Sequence, residues 1–178
     1  MLTRFPKKKE RIIEFIIDNP RKMVKVRELA KLLQISPAYV SRTLKILGKE
    51  DVIKNNKVNL SNPYVRVLKI FSNIKKMIDK GVIKKLKKLE ALGAGIYGSW
   101  ANGTNYEDSD LDIWIKVSKR PKEIKIATIS NEIRKALGRD VQILVLTPER
   151  IERLKKEDPI FYYSLVFGSI KLYGEEIE

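Results

Sequence analysis

The sequence predicts an α+β protein in two parts: a helical N-terminal part closed by a short β-hairpin, and a small α/β domain built on a mixed sheet. Three observations predict it. Residues 7–47 fall into three segments of helical periodicity separated by Pro, Gly and polar turns. Residues 52–60 form two short apolar-polar runs around Asn55-Asn56, a pair that tolerates the left-handed backbone of a tight hairpin. Short apolar runs at 95–98, 111–117, 140–146 and 169–174 then alternate with helical segments. Charge divides the chain in the same place. Residues 1–90 carry 24 Lys or Arg against 8 Asp or Glu, whereas residues 91–178 carry 13 against 14. A lysine-rich proteome would raise both halves, so the asymmetry points to a polyanionic partner for the first.

The first helix is predicted from about Lys7 to Ile17, burying Ile12, Ile13, Phe15, Ile16 and Ile17 before Asp18-Asn19-Pro20 stops it. The second spans Val26–Leu33, with Val26, Leu29, Ala30 and Leu33 on one face, and Gln34-Ile35 turns the chain. Ser36 suits an N-cap and Pro37 a first helical position. The third helix then runs to Leu47, with Gly48 expected to close it. Its faces differ. Val40, Leu44 and Leu47 turn inward; Ala38, Ser41, Arg42, Lys45 and Lys49 lie opposite, flanked by Tyr39. A small, polar, cationic helix face suits a DNA major groove. The hairpin that follows puts Lys54 and Lys57 beside phosphates. Residues 7–61 resemble winged helix-turn-helix regulators in pattern. That resemblance implies duplex DNA contacts by Ser36, Ala38, Tyr39, Ser41, Arg42, Lys45, Lys54 and Lys57. A solvated basic face or a protein-docking module is the alternative.

Ser61-Asn62-Pro63 starts another helix, in which Val67, Phe71, Ile74 and Ile78 form an apolar stripe ending at Asp79-Lys80-Gly81. The stripe is expected to bury against the C-terminal domain or a second copy. DNA readers of this kind are commonly two-fold, which favours a homodimer. Val82–Glu90 is lysine-rich and helical. A helix is predicted from Lys122 to Leu137 with Gly138 as its cap, and another from Thr147-Pro148-Glu149 to Lys156. The rings of Phe161, Tyr162, Tyr163 and Phe167 are expected in the core rather than as a base-stacking platform.

The chemistry concentrates in residues 95–112. Gly98-Ser99 ends an apolar run, and ten residues later Asp110-Leu111-Asp112 opens the next. Two acids one residue apart on a strand share a face and repel unless a cation lies between them. The backbone N–H groups of a Gly-Ser turn suit phosphate. Asp140 opens the following strand and can join the pair if the two strands are neighbours. An exposed strand with alternating charges is the bland reading of each signal alone; their combination points to a metal beside a nucleoside triphosphate.

These residues resemble the nucleotidyltransferase superfamily of DNA polymerase beta, and within it the minimal nucleotidyltransferases. The resemblance rests on Ile96-Tyr97, Gly98-Ser99, Asp110-Leu111-Asp112-Ile113, Asp140 and the closing Ser169–Gly174, and covers roughly residues 85–178. It implies a two-metal mechanism. Asp110 and Asp112 would bridge two Mg²⁺ ions about 3.5–4 Å apart, and Asp140 would ligate the second ion and help take the proton. Gly98 and Ser99 would hold the β and γ phosphates. The product would be a nucleoside monophosphate ester, AMP foremost, plus pyrophosphate. Gln142 is neutral where some relatives carry a further acid. Relatives of this half include antitoxins that add AMP to a tyrosine of an RNase toxin, which implies a protein hydroxyl as acceptor. The domains so read are a winged helix over 1–62, linker helices over 63–90 and a nucleotidyltransferase domain over 91–178.

Composition narrows the rest. The chain has no Cys and no His, so disulfides, thiol chemistry and a histidine general base are excluded, and an oxygen ligand set favours Mg²⁺ or Mn²⁺ over Zn²⁺. No run of eighteen apolar residues argues for a membrane span, and residues 1–7 lack the apolar stretch of a leader, so the expectation is a cytoplasmic protein. Other readings are a DNA-binding regulator whose second domain only senses nucleotide, adenylylation of a small molecule, and addition to RNA 3′ ends. The basic first half disfavours the small molecule, and no single-strand platform is evident for RNA.

Overall fold

The Asn55-Asn56 pair adopts the conformation that its composition predicts. Both residues have positive φ, 51° and 58°, and join β1 (Ile53–Lys54) to β2 (Lys57–Val58) in an antiparallel pair. The computed structural model describes residues 7–178. Residues 1–6, which open the first predicted domain and carry most of the leader reading, lie outside the described residues. The chain divides into two compact units, 1–72 and 73–178.

In the first unit α1 (Lys7–Asp18), α2 (Val26–Leu33) and α3 (Pro37–Lys49) precede the hairpin. Ile12, Ile16 and Ile17 pack with Leu29, Ala30, Val40, Leu47 and Val52, while Phe15 is only partly buried. Ser36 stands at the N-cap of α3 and Pro37 in its first turn, as expected, but the serine side chain makes no cap hydrogen bond. Gly48 does not close α3, which continues to Lys49. The left-handed residue that turns the chain is Asp51, at φ 54°. The amide of Asn59 donates to its carbonyl at 3.1 Å and its carboxylate at 2.9 Å, which stabilises that conformation at a short polar residue.

α4 (Pro63–Asp79) departs most from expectation. Val67, Phe71 and Ile78 of the predicted stripe are 63%, 51% and 57% exposed. The helix is instead held by Val65, Lys69, Ser72, Asn73 and Met77, all buried. Three of these are polar and each is satisfied. Lys69 Nζ donates to the Ile17 carbonyl at 2.6 Å, Ser72 to the Asp18 carboxylate at 3.2 Å, and Asn73 to the Trp100 carbonyl and Asn105 side chain at 3.0 and 2.9 Å. Counting only apolar residues selects the wrong face.

The second unit adds α5 (Val82–Lys87), β3 (Gly93–Tyr97), α6 (Gly98–Asn102), β4 (Leu111–Lys116), α7 (Glu123–Leu137), β5 (Val141–Leu146), α8 (Pro148–Glu157), α9 (Pro159–Gly168) and β6 (Ile170–Gly174). The strands order β5-β4-β3-β6; β4 and β5 are parallel and the other pairs antiparallel, a mixed sheet. Leu111, Ile113 and Ile115 face one core with Met77, Val82, Leu86, Leu89 and Ile129. Trp114 faces the other, with Leu146, Ile151, Tyr162 and Leu165. The division falls within α4, and residues from Met77 on supply the core of the second unit. The aromatic run splits. Tyr162 is buried, but Tyr163 and Phe167 stack at 6.0 Å on the exterior. Among the described residues no helix is long and apolar enough to cross a membrane.

Candidate active site

Strand alternation decides which side chains meet. On β4, Leu111, Ile113 and Ile115 point into one core, so Asp112 shares the opposite face with Trp114, and Asp110, two residues earlier, falls on that face too. Asp112 is half-buried and Asp110 exposed. Asp112 lies opposite Tyr97 across the β3–β4 ladder, at the start of β4. There β3 gives way to α6 through Gly98, whose φ of +66° places it where any side chain would be strained. A Cβ added at Gly98 would stand 2.7 Å from Asp112 Oδ2. Glycine at 98 thus lets the backbone turn close against the carboxylate. Ser99 is the second residue of α6 and its carbonyl accepts from Thr104 N at 3.0 Å, which ties the loop back to the helix.

The electrostatics match two crowded acids. Burial, and after it the charge of Asp110, raise the Asp112 carboxyl above the ordinary carboxylate value. Burial and the Asp112 charge likewise raise the Tyr97 hydroxyl, with Arg150 pulling the other way. A half-buried carboxyl raised by burial and by a neighbouring acid on the same strand face is a fit for a hard divalent cation.

The third predicted acid is not brought to them. Asp140 precedes β5, and its carbonyl accepts from Leu111 N at 2.9 Å, so its backbone is adjacent. Its carboxylate, however, pairs with Arg134 Nε of α7 at 2.9 Å. Among the described residues no group of three or more acids could hold a metal. The side chain that does reach the pair is Gln142. In the parallel β4–β5 register it lies beside Asp112, and its Nε2 donates to Asp110 Oδ2 at 3.1 Å. Arg139 extends from the same turn to the Tyr106 carbonyl, 3.4 Å away, and over the Trp100 ring. Sequence reasoning missed the contacts of Gln142, Arg134 and Arg139. Gln142 was within reach of it, because residues 140 and 142 share a strand face, but the ion pair with Arg134 that draws Asp140 aside is not written in the sequence.

In the first unit, Ser36, Ala38, Arg42, Lys45, Lys54 and Lys57 are exposed, while Tyr39 and Ser41 are half-buried. Tyr39 packs against the apolar core, and its carbonyl accepts from the Thr43 hydroxyl at 2.9 Å. Arg42 Nε reaches back to the Ala38 carbonyl at 3.4 Å.

Residues 80–164 match the family model "Polymerase beta, Nucleotidyltransferase". A comparison with curated proteins gave no match. Among solved structures the chain is similar to a toxin–antitoxin with AMP-PNP, at 21% identity and TM-score 0.43, over 58% of this chain and 74% of that one. It is similar to a mutant of the toxin–antitoxin MntA-HpeT, at 18% identity and TM-score 0.43, over 53% and 72%. It is also similar to a complex of the tri-AMPylated Shewanella oneidensis HEPN toxin with MNT antitoxin, at 16% identity and TM-score 0.40, over 56% and 73%.

Proposed function

We propose, from the match of residues 80–164 to the polymerase beta nucleotidyltransferase family, that the second unit transfers a nucleoside monophosphate from a triphosphate to a hydroxyl. The observation that carries this reading is the Asp110–Asp112 pair on one strand face, with the Gly98 turn against it. ATP is the first donor to test. Asp110 and Asp112 would hold Mg²⁺ or Mn²⁺, and the bound ion would offset triphosphate charge and acidify the attacking hydroxyl. Gly98 and Ser99 would orient the β and γ phosphates. The acceptor oxygen bonds to the α phosphorus, the bond from that phosphorus to the bridging oxygen breaks, pyrophosphate leaves and the hydroxyl proton passes to a base. Asp140 can act as that base, or as ligand to a second ion, only by releasing Arg134.

The exposed faces of α3 and the hairpin support duplex DNA as the partner of the first unit, with Arg42 and Lys45 toward the groove and Lys54 and Lys57 toward phosphates. A protein hydroxyl, such as a tyrosine of an RNase partner, is the proposed acceptor, and a two-fold assembly on an operator the proposed state. Gln142 in contact with Asp110 favours one second reading, a nucleotide sensor that regulates DNA binding without turnover.

The test incubates the protein and a lysate of its host with α-labelled ATP, CTP, GTP or UTP and Mg²⁺ or Mn²⁺, with Asp112→Asn as control. Label on protein that vanishes in the variant is expected. Label on RNA or small molecules would replace the acceptor. No Asp112-dependent label, with DNA affinity responsive to nucleotide, would establish the sensor instead.

A further inference from the structure

The pair of carboxylates has two neighbouring positions on β5 from which a third ligand could come, 140 and 142. Asp140 has the charge but is bound to Arg134. Gln142 has the position. It lies beside Asp112 in register and leaves the sheet on the same face, yet it brings an amide. That amide is engaged as a donor, with its nitrogen 3.1 Å from Asp110 Oδ2. Hydrogens directed at a carboxylate oxygen hold the carboxylate in place and partly offset its charge, and they repel a cation approaching the same oxygen.

We infer that Gln142 is a positioning residue that fixes Asp110 and restricts the centre to one divalent ion. The inference rests on the nucleotidyl-transfer site proposed above and deepens it. Two carboxylates balance the charge of one divalent ion. A second ion within about 4 Å of the first needs another anionic ligand from the protein; the amide supplies none, and the Asp140 carboxylate is engaged by Arg134. A carboxylate at 142 would complete a three-acid set. The amide withholds the ligand that a second ion requires.

The experiment counts manganese bound to the full chain by electron paramagnetic resonance, at equal concentrations of protein and a non-hydrolysable ATP analogue. One ion per chain is expected for the wild type and for Gln142→Leu, with a single-ion spectrum. Gln142→Glu is expected to bind two, with the spectrum of a spin-coupled pair. Position 142 is exposed, so these variants are expected to keep the fold, which circular dichroism checks. Two coupled ions in the wild type would overturn the inference and leave the transfer reading standing. A single ion in both wild type and Gln142→Glu would overturn it equally. Manganese binding unchanged by Asp112→Asn would remove the metal site itself, and the proposed function with it.

Discussion

The two units organise their candidate functions in opposite ways. In the first, the candidate cations Arg42, Lys45, Lys54 and Lys57 are exposed along a helix face and a hairpin, outside the apolar core. In the second, they are a few side chains at one end of β4, with Asp112 half-buried and Asp110 in contact with Gln142. A surface that attracts a polyanion can be assembled from weak, additive contacts, and composition reveals it. A site that bends chemistry to its purpose needs register, and composition does not reveal register.

The largest effect expected separates the two. Asp112→Asn should reduce transfer on the order of 10³-fold or more, since the ligand of an ion worth several kcal/mol in the transition state is lost. DNA affinity, read by fluorescence anisotropy, should not change. Loss of both together would mean that the units do not work independently.

Salt draws the same line from the other side. Affinity for DNA should fall with salt at a slope of about 0.9 per phosphate contacted, and Lys54→Ala or Lys57→Ala should each lower that slope by about 1. Arg42→Ala should cost about 1–3 kcal/mol if it reads a base. A flat salt profile would reject the polyanion reading, whatever the second unit does.

Gly98→Ala sharpens the contrast within the second unit. Its positive φ and the 2.7 Å approach to Asp112 predict a loss of about 1–3 kcal/mol in thermal or urea unfolding, together with impaired nucleotide binding. An alanine variant of undiminished stability would show that the turn is not constrained as described.

The smallest effect concerns protonation. The raised pKa of Asp112 means that its ionisation costs stability in the metal-free protein. That cost is absent while the group is protonated and grows as pH rises from the ordinary carboxylate range through the raised value. Asp110→Asn removes the secondary cause and leaves burial, so the Asp112 titration followed by NMR should move down without reaching the ordinary value. An unmoved titration would mean that the two carboxylates do not sense each other.

Much of the fold was legible. α2 has the predicted bounds, α1 and α7 differ by one residue, and the Asn-Asn turn and the Gly138 cap at φ 66° occur where expected. These depend on local periodicity and turn chemistry. The errors all depend on tertiary partners. α4 is held through Lys69, Ser72 and Asn73, whose polar ends find acceptors that sequence does not disclose. Gly48 stays helical because Asn59, eight residues beyond Asp51, stabilises the turn there. At the site, the Asp-x-Asp spacing located two carboxylates on one face. The parallel register brings residues 140 and 142 beside them, and Arg134 on another element draws Asp140 aside, leaving Gln142 in contact.

Gln142 also has a genetic meaning. Glutamine codons become glutamate codons by one base substitution, so a third carboxylate at this position is always within a single mutational step. A lineage can cross between the amide and the acid without intermediate sequences and without rebuilding the sheet. If the proposed centre holds metal, its ion count would therefore be among the most readily changed properties of the fold, and a difference at this one position would divide otherwise similar chains into distinct metal chemistries.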